Sequence, residues 1–394
     1  MSLFHGSLGM DIFLGIALGA FFGIFTGLVP GVHTNLVVSV IVGLVGLGWF
    51  SSADFLVALI IVMAMMNTFV SVIPSVFIGV GEGSDSLSVL PGHMMLKEGR
   101  GVDAVHASLW GGVVACFVGL FFFSGSVWFI TFVYEFIEEY IPWLLLGVSF
   151  FLVFRRLWLR SLFVYVCSGV AGWLVFESSV SNPLFPLLSG FFGVGMLFCN
   201  SDSSIPEQKE CEGVDSRVLE DGVVGSFLGF FTAFLPGLGS GVAGTIGSVG
   251  REFDPSRFLA MTGGVDTANF FLGVAALIGI DRARNGAVVG VEAVSSSISA
   301  TLLVGLCVVG GGLGVFCSLS LSRGARSVFE LVDYTVLVWS VICFIFVMCL
   351  FISGLEGVVV LVYSSLVGWY SNRFEVSRTV MMACILLPVF FYLI

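Results

Sequence analysis

An aspartate stands inside an otherwise apolar run of this chain: Thr262-Gly263-Gly264-Val265-Asp266-Thr267-Ala268-Asn269, within the segment Phe258 to Ile280. A carboxylate at membrane depth costs several kcal/mol, about 3 on insertion scales, unless it faces a cavity or a partner. Asp266, Thr267 and Asn269 are therefore candidates for binding a coupling cation, Na⁺ or H⁺. An aspartate that caps a re-entrant helix is the structural alternative. Two further constellations centre on Pro-Gly. Pro30-Gly31 is followed by Val32-His33-Thr34-Asn35, and Pro236-Gly237 by Leu238-Gly239-Ser240-Gly241. Proline lacks an amide donor and glycine permits left-handed φ, so each pair is expected to break a helix. The helix that restarts would offer free amides to an anion. Candidate substrate contacts are thus Pro30, Gly31, His33, Thr34, Asn35, Pro236, Gly237, Gly239 and Ser240, with Asn67 and Thr68 from Met66-Asn67-Thr68-Phe69. The stretch Gly79 to Val105 reads as a solvated loop or as a gate turning at Pro91-Gly92 beside His93.

These groups need helices to hold them. Of 394 residues, 58% are hydrophobic and 10% charged, against roughly 25% charged in soluble domains. Runs such as Ala107 to Trp128, Thr335 to Ser353 and Ser377 to Ile394 match the ~20 residues that cross a hydrocarbon core as helix. Strand alternation is absent, which excludes a barrel. The expected fold is all-α: a polytopic transmembrane bundle of about 10–12 inserted segments, with broken or re-entrant helices, in a cell membrane. Met1 to Met10 holds no Lys or Arg, so the first helix is read as its own insertion signal. Net charge of −11 argues against a nucleic-acid partner. The nine cysteines are scattered singly, without metal-ligand spacing. No nucleophile elbow, phosphate loop or His-Glu-x-x-His is present, so neither an enzyme nor a cofactor or metal is expected.

Arg257 and Arg282 flank a single apolar segment, so either that segment is re-entrant or one basic cluster lies outside. The polar stretch 201–222 reads as an exposed loop between a first half, 1–200, and a second, 223–394. Gly19 to Gly31 aligns without gaps on Gly225 to Gly237, identical at seven of thirteen positions. Phe55-Leu56 pairs with Phe258-Leu259 and Gly101 to Val105 with Gly290 to Val294, in the same order. Internal duplication follows. Gly/Pro-broken segments at matching places in two halves point to a transporter's binding site.

At these residues the chain resembles the large permease subunit of tripartite tricarboxylate transporters in its shorter, archaeal-type form. The resemblance rests on Gly27-Leu28-Val29-Pro30-Gly31-Val32-His33-Thr34-Asn35, on Leu87-Ser88-Val89-Leu90-Pro91-Gly92-His93 with Gly99-Arg100-Gly101, on the second Leu-Pro-Gly-Leu-Gly and on Leu386-Leu387-Pro388. It implies ion-coupled import of a small carboxylate such as citrate, with a small membrane subunit and a substrate-binding protein as partners. A homo-oligomer is left open. Polyprenyl-phosphate translocases, which also use Pro-Gly re-entrant loops, are the alternative.

Overall fold

The computed structural model describes all residues except 1–7, 30–33, 35–36, 39–40, 43–44, 46–51, 79–85, 155–156, 181, 201–206, 210–212, 214, 233–238, 251, 253, 282–284, 296–298 and 332–333. Among the described residues the regular structure is entirely helical. In chain order the elements are α1 (Leu8–Leu28), α2 (Ala53–Val70), α3 (Val72–Phe77), α4 (Ser86–Lys97), α5 (Gly101–Ile137), α6 (Ile141–Phe154), α7 (Trp158–Phe176), α8 (Leu184–Leu188) and α9 (Gly195–Asn200). They continue as α10 (Arg217–Thr232), α11 (Ser240–Gly247), α12 (Pro255–Ile280), α13 (Gly286–Val294), α14 (Ala300–Leu331), α15 (Tyr334–Arg373) and α16 (Ala383–Leu393). Seven described segments are long and apolar enough to cross a bilayer, and three shorter apolar ones accompany them. This is a multi-pass membrane protein.

Local chemistry sets the ends. Ser52 caps α2 by accepting from the Phe55 amide. Asp254 caps α12, its carboxylate accepting from the Ser256 and Arg257 amides ahead of Pro255 at the first helical position. Partial burial would raise the Asp254 pKa, but the Ser256 hydroxyl and those two amides outweigh it and hold the carboxyl below its usual range. α12 then runs unbroken for 26 residues, roughly 39 Å at 1.5 Å per residue. That is the length of a full crossing, so Arg257 and Arg282 need no re-entrant segment between them. Gly354, at φ 67°, kinks α15.

Two helices are interior. The spanning windows of α2 and α12 are 83% and 61% buried, against 22–44% for the other five, which makes these two the core on which the rest pack. α1 lies along α2 and α10 along α12, both through glycine. A Cβ on Gly23 would stand 2.6 Å from Met66 Cβ and 2.9 Å from the Met63 carbonyl oxygen. On the other pair, a Cβ on Gly229 would stand 2.7 Å from Ala268 Cβ and 2.9 Å from the Val265 carbonyl oxygen. Gly19 meets the Leu59 carbonyl as Gly225 meets that of Met261. The two pairs thus pack in one register, matching Leu59, Met63 and Met66 to Met261, Val265 and Ala268. That register differs by one residue from the pairing of Phe55 with Phe258, because contact geometry and not letter identity fixes it. The third sequence match also separates: Gly101 opens α5, whereas Gly290 lies within the short α13.

Long helices complete each pair crosswise. α5 covers α12 and α14 covers α2, with Gly111 of α5 pressed on the Ala260 carbonyl. A separate apolar cluster joins α6 and α7 to α16 and to the later part of α15. Part of the connecting stretch is docked, not exposed. Gln208, 1% exposed, donates to the Leu96 carbonyl at 3.1 Å and accepts from the Gly101 amide at 2.9 Å. The Lys209 amide donates to the Gly99 carbonyl at 2.8 Å.

Substituting Gly225 with alanine forces backbone apart and is expected to destabilise the purified protein by about 1–3 kcal/mol. Gly305, with open space around it, is expected to accept alanine within about 0.5 kcal/mol. Thermal unfolding of the two variants in detergent checks the contrast.

Candidate functional site

The register of α2 and α12 decides which polar groups share a face. On α12 the positions Thr262, Asp266, Asn269 and Gly273 follow helical spacing along one stripe. One end of it touches α11, where a Cβ on Gly244 would stand 2.8 Å from Thr262 Cγ2. The other end faces Asn285 and Val288, both 3.7 Å from a Cβ on Gly273. Asp266 and Asn269, both half-buried, therefore lie between α11 and the start of α13. Thr267 does not join them. Its hydroxyl points across the α5 contact, 2.9 Å from where a Gly112 Cβ would be, with the Phe69 ring 2.5 Å from the same point. Thr267 is 1% exposed and its Oγ1 has no hydrogen-bond partner among the described residues. The expected trio is thus split: Asp266 with Asn269 on one face, Thr267 on another.

On α2 the same register matches Asn67 to Asn269 and Ala64 to Asp266. The Asn67 side-chain amide donates to Thr26 Oγ1 at 3.3 Å, and Thr26 donates to the Gly23 carbonyl at 3.4 Å. Thr68 is turned elsewhere, its hydroxyl donating to Ala64 O at 3.1 Å within its own helix. Thr26 and its counterpart Thr232, the last residue of α10, belong to no polar motif. The available signal was their identity in the aligned Phe25-Thr26 and Phe231-Thr232. Thr232, buried like Thr26, donates to the Gly229 carbonyl at 3.0 Å, so both threonines keep the same local bond.

Gly239 precedes α11 in extended backbone and Ser240 opens it, buried. Thr34 is buried at the matching place. Pro30, Gly31, His33, Asn35, Pro236 and Gly237 lie outside the described residues. Pro91, Gly92 and His93 are not a turn. They sit inside α4, where the proline forfeits one backbone bond near the helix start and Gly92 lets α4 close on Val76, at 3.0 Å from an added Cβ. His93 is buried there, near Lys97.

One ion pair anchors the α10–α12 unit. Arg257 donates to both Asp221 oxygens, at 2.6 and 3.2 Å, and Asp221 is 1% exposed. In the α1–α2 pair the matching positions are Gly15 and Phe55, where backbone contact replaces the ion pair. Among the described residues, no cluster of three His, Cys, Asp or Glu could hold a metal.

The sequence profile described as the tripartite tricarboxylate transporter TctA family matches residues 13–383. An uncharacterized protein of Methanocaldococcus jannaschii is 24% identical over 279 residues, 68% of this chain and 70% of that one. No solved structure matches the chain. None of these comparisons supports the polyprenyl-phosphate translocase alternative.

Breaking the ion pair from one side strands a buried carboxylate. Arg257→Leu is expected to cost about 3–5 kcal/mol, and the double variant Asp221→Leu/Arg257→Leu to recover most of it. Comparing the unfolding midpoints of wild type and both variants tests this. A double variant no better than the single would sink the explanation.

Proposed function

Because this chain belongs to the tripartite tricarboxylate transporter TctA family, we propose that it is the permease subunit that carries a small di- or tricarboxylate across the membrane, driven by a gradient of Na⁺ or H⁺. The observation that carries this reading is the α12 stripe, whose Asp266 and Asn269 lie between α11 and the start of α13. Asp266 is the acidic group within this stripe, and a carboxylate lining a transporter core is suited to a cation or a proton. The carboxylate substrate has a different requirement. It is met by backbone amides at helix starts and by hydroxyls, here Thr34 and the Gly239-Ser240 opening of α11, with Pro30, Gly31, His33, Asn35, Pro236 and Gly237 around the breaks. Asn67 supplies an amide from α2, and Thr68 serves through its helix. Thr267, facing Gly112, contributes to the α5 contact beside the coupling site. Pro91, Gly92 and His93 support the site from within α4, where Gly92 closes on Val76 of α3.

We read the chain as two halves, 1–200 and 223–394, joined by 201–222. The shared register of the two glycine-packed helix pairs supports this. A small membrane subunit and a substrate-binding protein complete the system in this reading, as the word tripartite in the family description suggests.

A thermal-shift screen of the purified protein against citrate and other di- and tricarboxylates, at varied Na⁺ and pH, tests the substrate class. A ligand at one hundred times its Kd adds about 2.7 kcal/mol, so a clear rise in Tm is expected for at least one carboxylate. No rise with any of them overturns the substrate class. Uptake into proteoliposomes tests coupling: Asp266→Ala is expected to slow gradient-driven uptake at least about tenfold, and full activity removes its role.

A further inference from the structure

With 12 residues, α4 is too short to cross a bilayer, and it packs against α3, α5, α11, α12 and the short helical turn Arg378–Met382. His93 lies in its second half, 7% exposed. Neither Nδ1 nor Nε2 makes a hydrogen bond among the described residues. The Val76 carbonyl of α3 stands close enough to favour a ring proton, yet one acceptor answers one nitrogen, and a buried imidazole has two to satisfy. Lys97 follows four residues on, on the same face of α4, and Arg378 comes from the turn packed beside it. Lys97 is exposed and Arg378 half-buried, so the cluster leads from solvent to the imidazole. Both cations act on His93 and no carboxylate does. The acids of the surrounding elements are engaged or turned away: Asp103 holds Arg100 at 3.4 Å, Asp221 holds Arg257, Asp254 caps α12 and Asp266 lies between α11 and α13. Glu98, Glu207 and Lys209 are exposed, and α3 and α11 carry no ionisable side chain. Burial first, then Lys97 and Arg378, hold His93 below its ordinary pKa, so the empty cluster keeps a neutral ring. An anion among the three groups would set an attraction against both repulsions and favour the imidazolium.

We propose that His93, Lys97 and Arg378 form a site for one soluble oxyanion, a carboxylate group of the transported substrate, and that the anion enters it together with one proton on His93. The proposal deepens the transport reading and rests on it for the choice of carboxylate. Packing would be served by any apolar side chain at this position; a buried ring with an unanswered nitrogen, set beside two cations and no acid, is what points to an anion.

Isothermal titration of the purified protein with citrate, in buffers of different ionisation enthalpy, counts the protons taken up on binding. Wild type is expected to take up about one proton more per citrate than His93→Gln, a difference that removes the titration of citrate itself. A ring whose pKa rises on binding aids binding at low pH and loses that aid as pH rises, so the wild-type Kd is expected to climb by up to about tenfold per pH unit above its value in His93→Gln. Lys97→Gln, at an exposed position, is expected to weaken citrate about tenfold, as is Arg378→Gln. Equal proton uptake in wild type and His93→Gln overturns the proposal, and so does citrate affinity unchanged in both Gln variants of the cations. Inorganic phosphate that binds with the His93-dependent proton, where citrate does not bind at all, upholds the oxyanion site and removes the carboxylate. A rise in Tm that only phosphatidylglycerol added to the micelles produces, and that Lys97→Gln abolishes, identifies a lipid headgroup and overturns the soluble ligand.

Discussion

Backbone-to-backbone approach between helices is the constraint on which this structure depends. In a bilayer no hydrophobic drive brings helices together, so association relies on close packing, and only residues without a side chain let two backbones touch. Gly15, Gly19, Gly23 and Gly27 do this for α1 on α2, Gly225 and Gly229 for α10 on α12, and Gly111 for α5 on α12. The interior position of α2 and α12 follows, because each is approached from two sides by a glycine-bearing neighbour. So does the placement of polar groups. With one side of α12 taken by α10 and another by α5, the stripe holding Asp266 and Asn269 is left to face α11 and the start of α13.

Much of this was legible in the chain. The apolar runs predict the helices, and the four-residue glycine spacing predicts which faces pack. What letters could not supply was register. Matching Phe55 with Phe258 is natural by identity, yet the helices pack one residue away from it, and only then does Asn67 fall on Asn269. Likewise Pro91-Gly92 reads as a turn because both residues favour turns, whereas burial of α4 against α3 and α12 keeps it helical. Thr267 reads as a neighbour of Asp266, but one residue along a helix is about 100° around it, and that rotation turns it to α5.

The two helix pairs share a scaffold and diverge in charge. Where the first has Gly15 against Phe55, the second has a buried ion pair of Asp221 and Arg257; where the first has Ala64, the second has Asp266. The buried ion pair thus belongs to the α10–α12 pair alone.

The docking of Gln208 changes what kind of tether joins the two parts of the chain. Its side chain closes on the Leu96 carbonyl and the Gly101 amide, so the connection is fastened to the turn between α4 and α5 before it reaches α10. Only residues 210 to 216 then remain between that anchor and the next helix. Short spans hold their ends at high effective concentration. The connection therefore works as a leash of set length, keeping α10 in reach of α5 and α12 while the second part of the chain is being made, when a slack strand of the same sequence would let it wander to another neighbour.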